Sequence, residues 1–367
     1  MRNLLLSSAL GAAGVVGLGV AGAAAQPDSL TISSWGGAYT MSQTKAYHEP
    51  FTEMTGIEIN NVDKSANGLA YLRSMAESGN IESHVVDVLE ADAIIACDEG
   101  LVREIDYDNE LAPAPDGTPP TEDFVEGSLS GCFVPTIVYS TVLATNTEIW
   151  GDGPVPNSIE DLWDLETFPG QRALRRVPNA NLEWALYADG VAPEDVYDVL
   201  STEEGVNRAF AKLDEIKDNV IWWQEGAQPP QLLADQEAAI ASAYNGRIFH
   251  AQVVENQPFE IIWDGQVFEL DGWVIPAGVP DEETVMEYLR FSTDTQRLAD
   301  QAKYISYGPA RESSAPLVST HAETGVDMGP HMPTAPENFE TPIQMDALFW
   351  ADNQDELTER FNAWLAQ

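Results

Sequence analysis

Two α/β lobes joined by crossing strands are the fold class this sequence predicts, and three observations predict it. Short apolar, β-branched runs alternate with helix-like segments, the pattern of a largely parallel sheet wrapped by helices. One run, Phe133 to Leu143, is about a dozen residues long. That is about twice the usual strand and suits a segment that leaves one sheet and enters another. The 367 residues, 44% of them hydrophobic, are more than one core normally absorbs and enough for two.

Taken in order, Leu30 to Ser34 reads as a first strand and Met41 to Thr55 as a helix closed by Gly56. Ile57 to Val62 is the next strand, and Leu69 to Glu77 a helix ended by Gly79. Val85 to Leu89 is an apolar, β-branched run suited to a buried parallel strand, followed by a helix from Ala91 to Asp98. The Pro-rich stretch Pro113 to Pro120 is a surface loop. The crossover between lobes falls near Ser140 to Thr145, inside the long run. The middle third is more helical, with Val206, Phe210, Leu213 and Ile216 on one helix face. Ala239 to Ala243 reads as a buried strand. Ile261 to Trp263 and Gln266 to Leu270 flank Asp264-Gly265, the signature of a hairpin turn. Val274 and Ile275 form a return strand to the first lobe, Val285 and Leu289 mark a helix, and Leu357, Phe361, Trp364 and Leu365 mark the last one.

Residues 1–25 read as an export leader: Arg2, an apolar stretch from Leu4 to Ala23, and the small-residue site Ala23-Ala24-Ala25 before Gln26. A membrane anchor is the rival, since the stretch approaches spanning length; its Gly and Ala content and the missing basic flank favour cleavage. Export to an oxidising compartment gives Cys97 and Cys132 a meaning. A disulfide closing a loop of about 35 residues is favoured over two buried thiols. The two cysteines and five histidines show no ligand spacing, so no metal is expected.

Lys and Arg number 17 against 60 Asp and Glu, a net charge of −43. Such a surface excludes nucleic acid as a partner, because phosphate neutralisation needs a basic face. It does not imply a cationic ligand, since surface charge is screened within about 8 Å at physiological salt. A saline habitat and solubility account for the acidity more simply.

Catalytic signatures are missing: no P-loop, dinucleotide fingerprint or HExxH motif occurs. Gly127-Ser128-Leu129-Ser130-Gly131 mimics a nucleophile elbow but carries Leu where Ser is required. Neither an enzyme nor a cofactor is expected. The informative residues stand at the C-terminal ends of the predicted strands, where open α/β sheets border their ligand crevice. These are Trp35 and Tyr39 around Gly36-Gly37, Glu90 with Asp92, Tyr244 and Arg247, Asp271, and Tyr307. Glu90 could equally cap the following helix, and Arg247 could pair structurally with an acid.

Leu30-Thr-Ile-Ser-Ser-Trp35, Tyr39 and Met54-Thr-Gly-Ile-Glu-Ile59 resemble the opening of the spermidine/putrescine-binding proteins of bacterial ABC importers. Asp271-Gly-Trp-Val-Ile-Pro276 and Ile305-Ser-Tyr-Gly-Pro309 resemble that family's C-terminal half. The chain is more similar still to a subgroup marked by Trp-Gly-Gly-Ala-Tyr, Phe168-Pro-Gly-Gln-Arg172, Ala188-Asp-Gly-Val191 and Tyr244-Asn-Gly-Arg247. The resemblance implies a type II periplasmic binding fold with a hinge and an interlobe cleft. Lobe 1 would comprise 26–141 and 272–312, and lobe 2 would comprise 142–271 and 313–367. It implies a periplasmic monomer that traps a small amine and hands it to an inner-membrane permease.

Carried over by position, Trp35, Tyr39, Tyr244 and Tyr307 match aromatics that sandwich a polyamine, and Asp271 matches an acid that holds its amine. Three departures stand out: Glu269 replaces an aromatic, Gly36 replaces a hydroxyl residue, and the second-lobe acids have no match closer than Glu183. A zwitterionic or carboxylate-bearing solute (betaine, amino acid or opine-like) is the alternative, with Arg247 or Arg311 facing the cleft. A periplasmic sensor presenting its solute to a receptor is another.

Overall fold

The computed structural model describes residues 27–125 and 127–367; the expected leader lies outside them. Ten strands form one sheet: β1 (Ser29–Ser33), β2 (Glu58–Val62), β3 (Val85–Leu89), β4 (Val134–Asn146), β5 (Arg172–Arg175), β6 (Val220–Trp223), β7 (Ile240–Tyr244), β8 (Phe259–Val274), β9 (Gly308–Pro309) and β10 (Ile343–Gln344). The order along the sheet is β2-β1-β3-β8-β4-β7-β5-β6, with β9 beside β4 and β10 beside β8. The strands β2, β1 and β3 are mutually parallel, as are β7, β5 and β6. Between these two parallel sets run β4 and β8, antiparallel to each other and to their outer neighbours.

The long strands cross between two cores. Val134 of β4 and Trp273 of β8 pack with Leu30, Phe51, Val85 and Tyr288. Leu143 of β4 and Ile262 of β8 pack with Leu174, Trp184, Phe210 and Trp350. All thirteen residues of β4 are buried, which is why the run lacks a strict apolar–polar alternation; its Thr, Ser and Asn side chains are buried with the rest. The last helix, Ala347–Leu365, lays Trp350, Leu357, Phe361 and Trp364 on the second core, the face its periodicity predicts. This architecture is the two-lobed α/β fold expected of the chain.

One expectation fails. Asp264-Gly265 makes no hairpin, because β8 is a single strand of sixteen residues along β4. Ile262 faces Leu143 and Val267 faces Thr141, so residues 263–266 bulge out opposite Val142. Gly265 supplies the left-handed backbone (φ +64°), and the Asp264 carboxylate gathers the Ile159 amide, the Tyr187 hydroxyl and the Thr341 hydroxyl at 2.7–2.9 Å. The dipeptide is chosen for a turn, but the turn kinks one strand and does not reverse it.

Cys97 and Cys132 are disulfide-bonded with Cα atoms 5.8 Å apart, tying the helix Glu90–Asp98 to the entry of β4. Replacing Cys132 by Ser is expected to cost about 3 to 4 kcal/mol through freedom regained by the unfolded chain. A lower denaturation midpoint, reproduced in the native chain by reductant, checks this. Among the described residues no helix is long and apolar enough to cross a membrane.

Candidate functional site

A cavity of about 430 Å³, counting its open mouth, lies where the two parallel sets of strands meet the crossing pair. Trp35 and Tyr39 reach it from the end of β1, Ile137 and Tyr139 from β4, Arg175 from the end of β5, Tyr244 and Arg247 from the end of β7, and Asp271 from β8. Tyr307, from the loop before β9, and Leu89 complete the wall.

Asp271 is 2% exposed and organised by the first-strand aromatics. The Trp35 indole donates to its Oδ2 at 2.8 Å, and the Tyr39 hydroxyl donates to its Oδ1 at 2.6 Å. Desolvation, with the nearby Asp87 carboxyl as a second cause, holds its pKa well above the usual carboxylate range. Four tyrosine rings form a chain beside it: Tyr39 to Tyr307 at 6.0 Å, Tyr307 to Tyr139 at 5.9 Å, and Tyr139 to Tyr244 at 5.7 Å between centroids. These edge and tilted contacts leave an apolar wall with hydroxyls at its margin.

The opposite side carries positive charge. Arg175 stands 5.7 Å from the Tyr244 ring centre, and Arg247 opens the helix Asn245–Val253. Among the described residues no carboxylate lies within ion-pairing distance of either guanidinium. The Nε of Arg247 is buried without a hydrogen-bond partner. A side chain at Gly37 would meet Arg247 Nη1 at 3.2 Å, and one at Gly246 would meet the Tyr307 ring at 2.5 Å. These glycines are what let the two halves approach. Asn245 fastens the same turn, accepting from the Ser140 amide and donating to the Ser306 carbonyl.

The chain matches the model of the bacterial extracellular solute-binding proteins over residues 46–334. It belongs to that family. It is 39% identical over 354 residues to the γ-aminobutyric acid-binding protein of Pseudomonas aeruginosa, spanning 96% of this chain and 95% of that one. Among solved structures, the periplasmic binding protein MotA of A. tumefaciens B6, in complex with glucopine, is 29% identical with a TM-score of 0.80, over 92% of this chain and 99% of that one. A γ-aminobutyric acid receptor is 29% identical with a TM-score of 0.78, over 92% and 98%.

In this solute-binding protein, six of the eight ligand-contact residues expected from the sequence line the one cavity: Trp35, Tyr39, Tyr244, Arg247, Asp271 and Tyr307. Glu90 and Glu183 do not. Glu90 sits in the first turn of its helix and borders a separate groove with Phe268 and Leu270, whose side chains alternate with Glu269 and Asp271 and so face away from the cavity. Arg311 is likewise removed, buried against Asp123 at 3.0 Å. Arg175 and Tyr139 were missing from the expectation. Arg175 obeys the strand-end rule, but β5 has four residues with Arg at both ends, too polar to read as a strand. Tyr139 lies mid-strand, where no loop signal points to it.

Glu183 is wholly buried beside the second core; its Oε1 accepts from Tyr197 and Trp350 at 2.8 and 2.9 Å, and its Oε2 has no partner. Burial pushes its pKa from 4.5 up to about 7. The folded state then holds a proton the unfolded chain has released, so this group's contribution falls as pH rises through that interval and stays low above it. Glu183→Gln cannot ionise and is expected to gain melting temperature over wild type between pH 5 and pH 8. Parallel pH profiles for the two proteins would contradict this.

Proposed function

We propose that this protein captures a small zwitterionic ω-amino acid of the γ-aminobutyrate class between its lobes and delivers it, from the periplasm, to an ABC permease. The observation that carries this reading is the meeting on one wall of a carboxylate, Asp271, and two guanidiniums, Arg175 and Arg247, neither of which makes an ion pair among the described residues, although Glu269 lies within electrostatic reach of Arg175. The solute's ammonium would lie at Asp271 and Trp35, its carboxylate between the arginines, and its methylenes along the tyrosine rings. Charge-assisted hydrogen bonds at each end contribute about 1.5 to 3 kcal/mol apiece, and the aromatic faces add about 0.5 to 2 kcal/mol for the cation. Micromolar capture needs only about 8 kcal/mol net.

The names of the P. aeruginosa relative and of the solved receptor support the same ligand class. A polyamine, the first choice from sequence resemblance, is disfavoured by the wall's charge: a dication would face two half-buried cations and one wall carboxylate. A solute that touches both lobes also favours the closed arrangement about the crossing strands.

Thermal shift and calorimetry of residues 26–367 test the reading, with γ-aminobutyrate, an α-amino acid, glucopine and putrescine as probes. γ-Aminobutyrate is expected to raise the melting temperature and bind at micromolar or tighter Kd. A shift with putrescine and none with γ-aminobutyrate would overturn it.

A further inference from the structure

Behind Asp271, outside the cavity wall, lies a second carboxyl that ligand recognition does not use. Asp87 of β3 is fully buried. Leu89 faces Asp271 and Asp87 faces Trp273 in the β3–β8 ladder, so the two acids are diagonal neighbours on one face of the sheet. The Tyr39 hydroxyl bridges them, 2.6 Å from Asp271 Oδ1 and 3.3 Å from Asp87 Oδ1. Gln43, fixed by Ser34, donates to Asp87 Oδ2 at 2.7 Å.

The groups facing the pair can be named from each element packed on it. The helix segments after β1 supply Tyr39, Gln43 and Tyr47, and the β1 loop supplies Trp35. The strand β8 supplies the Trp273 indole, β4 supplies Thr136 and Tyr139, the helix Glu282–Ser292 supplies Tyr288, and the loop before β9 supplies Tyr307. These are neutral donors or phenols; a further acid on that face of β8 is Glu269, which accepts from the Tyr139 hydroxyl and is pushed by burial up to about 7. The cavity cations Arg175 and Arg247 make no ion pair with either acid. Two buried carboxyls joined through one hydroxyl, with no cation beside them, cannot both ionise cheaply.

We propose that Asp87 is a positioning residue that shares a single proton with Asp271 in the free protein, and that the ammonium group of an incoming solute displaces this proton to solvent. Solute capture is thereby coupled to proton release. The inference rests on the amine-at-Asp271 reading given above. Burial pushes Asp87 up to about 7 and holds Asp271 well above its ordinary range, so both carboxyls favour a bound proton. The two titrate as a pair, so the proton belongs to neither alone. An ammonium against Asp271 supplies the missing positive charge and favours the doubly ionised pair. One proton released per solute means affinity that rises up to tenfold per pH unit, levelling once the free pair has ionised.

Calorimetric titration of residues 26–367 with γ-aminobutyrate, in phosphate, HEPES and Tris between pH 6 and 8, reads the proton count from the dependence of heat on buffer ionisation enthalpy. Neither end of the probe titrates in that range, by analogy with Lys and Glu side chains. Release approaching one proton is expected for the wild type. Asp87→Asn, whose amide can accept from Gln43 and donate toward Asp271, is expected to bind with nearly constant Kd from pH 6 to 8 and no buffer dependence. Buffer-independent heats in the wild type, or an unchanged pH slope in Asp87→Asn, would overturn the proposal. Should the variant not fold, carboxyl ¹³C NMR of aspartate-labelled wild type decides instead: one protonated side chain in the free pair and none in the complex, against no change on binding. Failure of γ-aminobutyrate to bind at all is a different result, and it removes the ligand reading first.

Discussion

Arg175→Gln is expected to weaken γ-aminobutyrate binding about tenfold to a hundredfold, and the double variant with Arg247→Gln at least a hundredfold. The guanidiniums are the part of the cavity that a carboxylate can recognise, and each charge-assisted hydrogen bond contributes about 1.5 to 3 kcal/mol, one to two decades in Kd. The combined loss need not be the sum, because both arginines border Tyr244 and Tyr307 and would share one carboxylate. Neither cation makes an ion pair that the changes would break, and Glu269, which Arg175 helps to ionise, keeps its hydrogen bond from the Tyr139 hydroxyl, so the variants should still fold. The same variants carry a second readout. Removing positive charge from the cavity wall lowers the cost of admitting a dication, so putrescine should gain affinity while γ-aminobutyrate loses it. Calorimetry with both ligands measures the crossing; parallel losses for the two would mean the arginines shape the cavity without reading the carboxylate.

The parts of the molecule that were legible in the sequence are those whose signal is local. Val85 to Leu89 and Phe133 to Leu143 read as buried strands because apolar and β-branched residues dominate them without strict alternation, and the structure has them in β3 and β4. Trp35 and Tyr244 are legible because strand ends border the crevice in open α/β sheets; Asp271 is expected on the same rule, but β8 runs on to Val274 and carries it within the strand. What escaped was decided by contacts far apart in the chain. Arg175 reaches the cavity only because β5 docks beside β7, in register Arg172 with Ile240. Glu183 is only the nearest candidate for second-lobe acids that lack a match, and its helix turns the carboxyl inward to Tyr197 and Trp350, the latter 167 residues away. The Asp264-Gly265 turn was recognised correctly as a turn, but whether a turn reverses a strand or kinks it depends on the partner strand, and β4 continues past it. Ligand charge was the least legible property of all. With 60 acids in the chain, an acidic site is the default guess, and only the packing brings two arginines onto the cavity wall.

Asp271→Asn is expected to weaken an amine-bearing solute tenfold or more while leaving the free protein as stable as wild type, or more so. The binding loss follows from removing the only carboxylate on the cavity wall, at about 1.4 kcal/mol per decade. The stability gain follows from the same burial that raises the pKa of Asp271. A folded-state pKa above the unfolded value near 3.8 means the native protein holds a proton the unfolded chain releases, so this acid's contribution falls as pH rises through the interval. An amide has no such dependence. Its local geometry is also satisfiable: the carbonyl can accept from Trp35, and its NH₂ can donate to the Tyr39 hydroxyl, which then donates to Asp87. The variant should therefore melt higher than wild type at pH 8, with the advantage shrinking toward pH 5, and bind γ-aminobutyrate poorly at both. Unchanged affinity would remove Asp271 from the site. A loss of both stability and binding would make it a structural acid, and the reading of the cavity as a zwitterion trap would lose its cationic end.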